Sequence, residues 1–509
     1  MRLNRREFGL ASGWGLFGGG ISGSVLAGLS RALGDEPPPP VIFGLDLESV
    51  IRAIERTPRE QCIPLMLDLL KRGMSYRQFL GGLFLAGIRN VNPRPPGFKF
   101  HCVMAMNAVN QMSLDAEPAD RLLPLAWALD QFKASQADDA SKGDFELRQY
   151  VGEVPSTDKA WEQFHAGMKS WNLDQAEGGI ISLVRNRGSE EVLEGLWLYG
   201  ARDYRNIGHK AIIVANAART LDTIGWEQAE PVLRSAVSSL LDFGPKDTVN
   251  LYAYEDQCYL PHVTLAEEWL GQLPADWGGA SNANLDLTRQ LVGLLNGGDL
   301  EGARTAALQA LKEGKGDAGS VWDAVHLGAG ELMLRQRGLY GIHVVTSTNA
   351  LHYAYRRSSQ PQTRLILMLQ GLGWVAQFHK LMSGQKPKLN GTKILELKSG
   401  PIPNEADLAA QDILYSLPQD PAQAAARAFA YGKQFRSNEA FLKEARRLIL
   451  RKATDAHDFK YAAAIFEDLQ HVNREWQPHL LAVSTYHMPG IYSPESKLLV
   501  QAREALKAI

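Results

Sequence analysis

Cysteine is scarce. The 509 residues contain three, Cys62, Cys102 and Cys258, and none falls in a Cys-x-x-Cys pair. A zinc ribbon, an iron–sulfur site and a disulfide framework therefore find no support. Charge of one sign is also missing: the net charge is -2, which gives no basic face for nucleic acid. Strand signals are few. The β-branched run Val344-Val345-Thr346 is followed by Asn349-Ala350-Leu351-His352, which favours helix. Also absent are a phosphate loop, a nucleotide fingerprint behind a strand, a GxSxG elbow, an HExxH pair and any haem-attachment motif. A di-iron carboxylate bundle takes an ExxH motif from each of two helices; only Glu162 to His165 supplies one.

What remains is a long chain with helical periodicity. Hydrophobic residues make up 45% and charged residues 22%, enough for a large core, and composition does not shift after the N-terminus. Leu47, Val50, Ile51 and Ile54 recur with helical spacing. His101 to Met112 carries almost no charge, which implies burial on every side. The expected architecture is all-α: one large domain over 43–509, built from repeated helix pairs around a central histidine-rich site. Asn92 to Gly97 and the polar stretch Ala137 to Gly143 read as surface loops.

The first residues read differently. Asn4-Arg5-Arg6-Glu7-Phe8 is a paired-arginine segment, Gly9 to Leu29 is Gly/Ala-rich and mildly apolar, and Ser30 to Gly34 resembles a cleavage region. Residues 1–34 resemble a twin-arginine export signal, with 35–42 as a proline-rich spacer. The expected location is periplasmic or exported, with the twin-arginine export machinery as a partner. The alternative is an anchor left in the membrane by an uncleaved signal.

The chemistry is concentrated in the histidines. Segments around His101, His209, His343 and His457 look like copies of one pattern. In the first three an Asn-Ala pair follows, Asn107-Ala108, Asn216-Ala217 and Asn349-Ala350; in the fourth the alanines Ala462 to Ala464 take that place. Four buried helices, each bringing one imidazole, could surround one metal ion. His352 lies nine residues beyond His343, about 180° round a helix, so the two cannot serve one ion. The pattern selects His343 and leaves His352 to another layer or to a supporting hydrogen bond. His326 is a reserve ligand. The remaining histidines, His262 and His479 among them, lie in more polar or loop-like settings. Lys460 shares a face with His457. It either reaches solvent or, desolvated and neutral, takes up carbon dioxide and becomes a carboxylate-like ligand. Met104, Met106, Tyr353 and Trp374 read as ordinary core or as the lining of an apolar pocket.

The segments GHKAIIVANA, GIHVVTS and HDFK resemble the histidine motifs of the questin oxidase-like proteins, helical oxidoreductases best known for opening anthraquinone rings. The resemblance implies a mononuclear non-haem Fe(II) on His209, His343 and His457, with carboxylated Lys460 and, by position, His101. The GH-helix and the later EPVLRS stretch, Glu230 to Ser235, also resemble helical modules that accompany Rieske domains. No Cys-x-His pair is present, so electrons would come from the substrate or an external donor. The function this implies is an iron oxygenase acting with dioxygen on a small apolar or aromatic, phenolic or quinone-like substrate. The rivals are a non-catalytic binding protein with a structural site for zinc or another transition metal, and a metal-dependent hydrolase.

Overall fold

Capping residues stand where the periodic runs begin, and the chain folds accordingly. Asp46 accepts from the Ser49 amide at 2.8 Å, Ser75 and Gln78 form a capping box, and Asp455 and Asp458 form another. Each satisfies amides that a helix start leaves without partners. The computed structural model describes residues 46–242, 256–279, 282–417 and 420–507. The expected export signal and proline-rich spacer lie outside the described residues. Among the described residues every regular element is helical and none is a strand, and the helices pack as one compact domain. No described helix is long and apolar enough to cross a membrane.

Eight helices position the histidines: α1 (His101–Met104), α2 (Met106–Leu114), α3 (His209–Ile224), α4 (Ala318–Arg335), α5 (Leu339–Arg357), α6 (Pro361–Ser383), α7 (Ala456–His471) and α8 (Gln477–Ser484). The histidine-bearing segments run parallel. The His209 and His343 rings meet at the start of α3 and α5, and the Tyr353 hydroxyl reaches Asp222 near their other ends, at 3.4 Å. Likewise the His343 and His457 rings meet, and Asn349 donates to Asp468 further along, at 2.8 Å. Asn216 donates to the Met104 carbonyl at 2.9 Å and Asn110 to Thr223 at 3.1 Å, which sets α1–α2 in the same direction. Parallel neighbours need long returns, and helices of the 229–335 and 361–452 stretches supply them. The pairing of each histidine helix with a following helix is thus a requirement of direction.

The β-branched run in α5 is helical because its hydroxyls find acceptors within the helix. Thr346 donates to the Ile342 carbonyl at 3.1 Å and Thr348 to that of Val344 at 2.7 Å. One loop expectation is corrected. The helix Leu123–Ala140 runs through most of the 137–143 stretch. Its polar residues include buried Asp139, which accepts from the Asn92 and Phe145 amides at 2.9 and 2.7 Å and pairs with Lys99 at 2.5 Å. The stretch does lie at the surface, with Asp139 alone turned inward as an anchor.

Gly208 sets how closely α3 starts against α5 and α6. Its φ is +85°, and a Cβ there would lie 2.6 Å from the Ser347 Cβ and 3.1 Å from the Trp374 ring. Both terms oppose any side chain. Gly208→Ala is expected to lower stability by about 1–3 kcal/mol in denaturant unfolding; an unchanged midpoint would contradict this packing.

Candidate metal centre

The residues before two of the histidines hold uncommon backbone. Asn206 and Ile207 both have φ of 52°, and Phe98 has φ of 49°. The first pair turns the chain so that the Asn206 carbonyl accepts from Nδ1 of His209 at 2.6 Å. Gly97 lies flat on the same ring, where a Cβ would come within 2.9 Å of Cε1. In α5 the Leu339 carbonyl accepts from Nδ1 of His343 at 2.7 Å. A carbonyl can only accept, so in both rings Nδ1 carries the proton and Nε2 is left with a bare lone pair when the ring is neutral. The rings are held neutral. Burial, followed by the charge of Lys460, keeps the pKa of His209 well below its usual value; burial, followed by His209, does the same for His343.

The bare nitrogens of His209 and His343 face each other, Nε2 to Nε2 at 3.0 Å, and two lone pairs in that geometry repel unless a cation lies between them. Nε2 of His101 is also 3.0 Å from Nε2 of His209. One nitrogen from each of the three rings lies within 4.8 Å of the others. His457 stands outside that tightest group but completes a ring of four. Centroid separations run 5.2 Å from His101 to His209, 4.6 Å to His343, 5.2 Å to His457 and 4.7 Å back to His101. Each imidazole thus contacts two of the others, and the four close into a ring.

Sequence reasoning missed Asp455. Its Oδ1 accepts from Nδ1 of His457 at 2.5 Å, while Nε2 of His457 is buried without a hydrogen-bond partner. This repeats the pattern of the other rings, with a carboxylate in place of a carbonyl, and such partners orient metal-ligating imidazoles and raise their basicity. The acidic residue two positions before the histidine stands in the sequence, but nothing there marks it as an imidazole partner. Asp458 does not face the centre: it accepts from the Thr454 and Asp455 amides at 2.9 and 3.1 Å and lies 3.2 Å from His487.

Lys460 is buried, 4% exposed, and its Nζ makes no hydrogen bond. Burial pulls its pKa down to about 7, with Asp455 opposing. Snorkelling to solvent is therefore corrected: the amine stays inside. It lines a polar cavity of about 20 Å³, room for roughly one water, together with Asn107, Asn216 and Asn349. The three asparagines of the repeated Asn-Ala pairs thus share one space further along the histidine helices.

The other candidates separate. His352 and His326 meet each other, Nδ1 to Nε2 at 2.8 Å, away from the four-ring set, so neither replaces a member of it. His262 and His479 are corrected from polar settings to buried ones, 0% and 7% exposed; His262 pairs with Gln370 at 2.6 Å. Met104 lines a small apolar cavity with Phe100 and Ile213. Tyr353 packs under Arg219, and Trp374 against Tyr204 and the Gly208 turn, so these side chains do not form one pocket.

A scan against protein-family models, a search of curated proteins and a search of solved structures each return no match.

Buried neutral histidines make stability depend on pH. His209, His343 and His352 have depressed folded pKa values, chiefly through burial. Below about 6.5 the unfolded chain binds protons that the folded chain does not, so stability falls as pH falls. Metal-free protein is expected to lose up to about 1.4 kcal/mol per pH unit for each such histidine below that value. Urea unfolding at pH 7.5, 6 and 5 measures it; a flat profile would contradict neutral burial.

Proposed function

We propose that this chain is a metal-dependent oxidoreductase, a non-haem iron oxygenase acting on a small aromatic, phenolic or quinone-like substrate. His101, His209, His343 and His457 hold the ion, and Lys460 adds an oxygen donor after reaction with carbon dioxide. The observation that carries this reading is the meeting of the bare Nε2 atoms of His209 and His343 at 3.0 Å, on rings whose Nδ1 atoms are already engaged, with Nε2 of His101 a further 3.0 Å from that of His209. Metal–nitrogen bonds of about 2.1 Å separate neighbouring nitrogens by about 3.0 Å at right angles and about 3.4 Å at tetrahedral angles. The spacing is therefore of the size that one transition-metal ion, iron or zinc, requires of neighbouring nitrogen ligands. Bound iron would supply redox and Lewis-acid chemistry.

The chain's own residues do the rest. The Asn206 and Leu339 carbonyls fix the ring planes of His209 and His343, and Asp455 strengthens His457 as a donor. Neutral Lys460 forms a nitrogen–carbon bond with carbon dioxide and releases a proton, which leaves a carbamate. The helix starts at His101, His209 and Ala456 direct the positive ends of peptide dipoles at this region, which favours that anion and an enolate or phenolate oxygen of substrate. Phe98 and Leu339, exposed at 72% and 52%, sit in the turns that carry His101 and bind His343, and offer apolar surface to a flat substrate. Electrons come from substrate or an external donor. The questin oxidase-like resemblance of the same segments supports this reading, and export through the twin-arginine route would deliver the folded, loaded protein to the periplasm. A hydrolase with two ions is less suited, because Asp455 and Asp458 are both engaged elsewhere.

Elemental analysis of exported protein beside a His209→Ala, His343→Ala double variant tests the reading. The expected result is on the order of one iron per chain, lost in the double variant, with dioxygen uptake on polycyclic phenols only in the loaded parent. Zinc alone, or no metal in folded parent protein, would overturn it. Asp455→Asn is expected to weaken metal binding about 10- to 100-fold in competition with a chelator; unchanged affinity would remove Asp455 from the site.

A further inference from the structure

A second set of ligand-type side chains lies further along two of the same helices and on α4 beside them. His326 comes from α4, His352 from α5 and Asp468 from α7. Nε2 of His326 is 2.8 Å from Nδ1 of His352, and Nδ1 of His326 is 3.3 Å from Oδ2 of Asp468. One ligand atom from each lies within 4.8 Å of the others. The three residues are 3%, 8% and 2% exposed. His471, exposed at the end of α7, places its ring 5.8 Å from that of His352.

We propose that His326, His352 and Asp468, with His471 at the solvent edge, form a second binding site for a divalent transition-metal ion. Imidazole and carboxylate donors together suit zinc and Fe(II). Charge favours a cation. Among the described residues Asp468 has no lysine or arginine within ion-pair distance, and His326 is its one ion-pair neighbour. Arg219 and Arg356 face the group, but both lean on Glu467, at 2.5 and 3.8 Å. Asp323, which accepts from the Asn473 amide at 3.0 Å, adds a further carboxyl beside His326. A buried carboxylate without a full countercharge is costly, and an ion between the rings removes that cost.

The surroundings are built to hold the donors still. Asn349 donates to Oδ1 of Asp468 at 2.8 Å, which leaves Oδ2 for the site. Trp322 lies flat on His352, centroids 4.5 Å apart with planes 18° from parallel. These are the supporting contacts that metal-ligating groups carry. The site is separate from the four-histidine centre. His352 follows His343 by nine residues and Asp468 follows His457 by eleven, about 14 and 16 Å along the two helices. An ion there ties α4, α5 and α7 together at the end away from the first centre.

The test uses full-length protein, stripped with chelator, reloaded with zinc and dialysed, so it does not depend on any activity. Zinc content is measured in the parent, in a His352→Gln, Asp468→Asn variant and in the His209→Ala, His343→Ala variant. The expected result is a parent content that falls by half in each variant. A parent whose zinc is lost only with His209 and His343 would overturn the second site and leave the first standing. Loss only with His352 and Asp468 would do the reverse, and zinc in none would overturn both. Should the His352→Gln, Asp468→Asn chain fail to fold, an anomalous difference map of the reloaded parent at the zinc edge decides. A peak between His326 and His352 supports the proposal, and its absence overturns it.

Discussion

Two imidazoles whose Nδ1 protons are committed to backbone carbonyls must point bare lone pairs wherever their Nε2 atoms go. In this chain those atoms meet at 3.0 Å, inside an interior that keeps both rings neutral. The left-handed residues before His209, the glycine pressed on its ring and the Asp455 bond to His457 all serve to hold that meeting in place. Strained backbone of this kind persists only where the surrounding structure fixes it, and it gathers at functional sites.

Direction is the second constraint. Four histidines can share one end only if their helices run parallel, and parallel helices need return segments. Much of the chain between the histidine helices consists of such returns, which accounts for a large domain around a small centre. The same parallel packing places Asn107, Asn216 and Asn349 around one polar cavity and carries α5 and α7 on to a second meeting of donors. Arg219 binds that region together: it contacts Asn216, Asn349 and Glu467 at 3.1, 3.2 and 2.5 Å.

The helical class was legible because nearly uncharged runs such as 101–112 can only be buried, and because apolar residues recur with helical spacing along the chain. The separation of His343 from His352 followed from helix rotation alone, and the structure puts them in different layers. Less was legible where polarity was local. Asp139 read as a loop residue and Asp455 was not singled out, since a single sequence does not show that a carboxylate turns inward to bind amides or an imidazole. The burial of His262 and His479 was hidden for a similar reason: their helices carry mixed flanks, and tertiary packing rather than local pattern encloses them. The tautomers of His209 and His343 depended on backbone turns that no side-chain pattern announces.

The central claim is that four imidazoles and one lysine-derived oxygen surround a single ion. X-ray absorption at the iron edge of the iron-loaded protein tests it most directly. The account predicts a light-atom shell at about 2.1 Å with multiple scattering from four imidazoles. A shell with one or two imidazoles, or one containing sulfur, would contradict it.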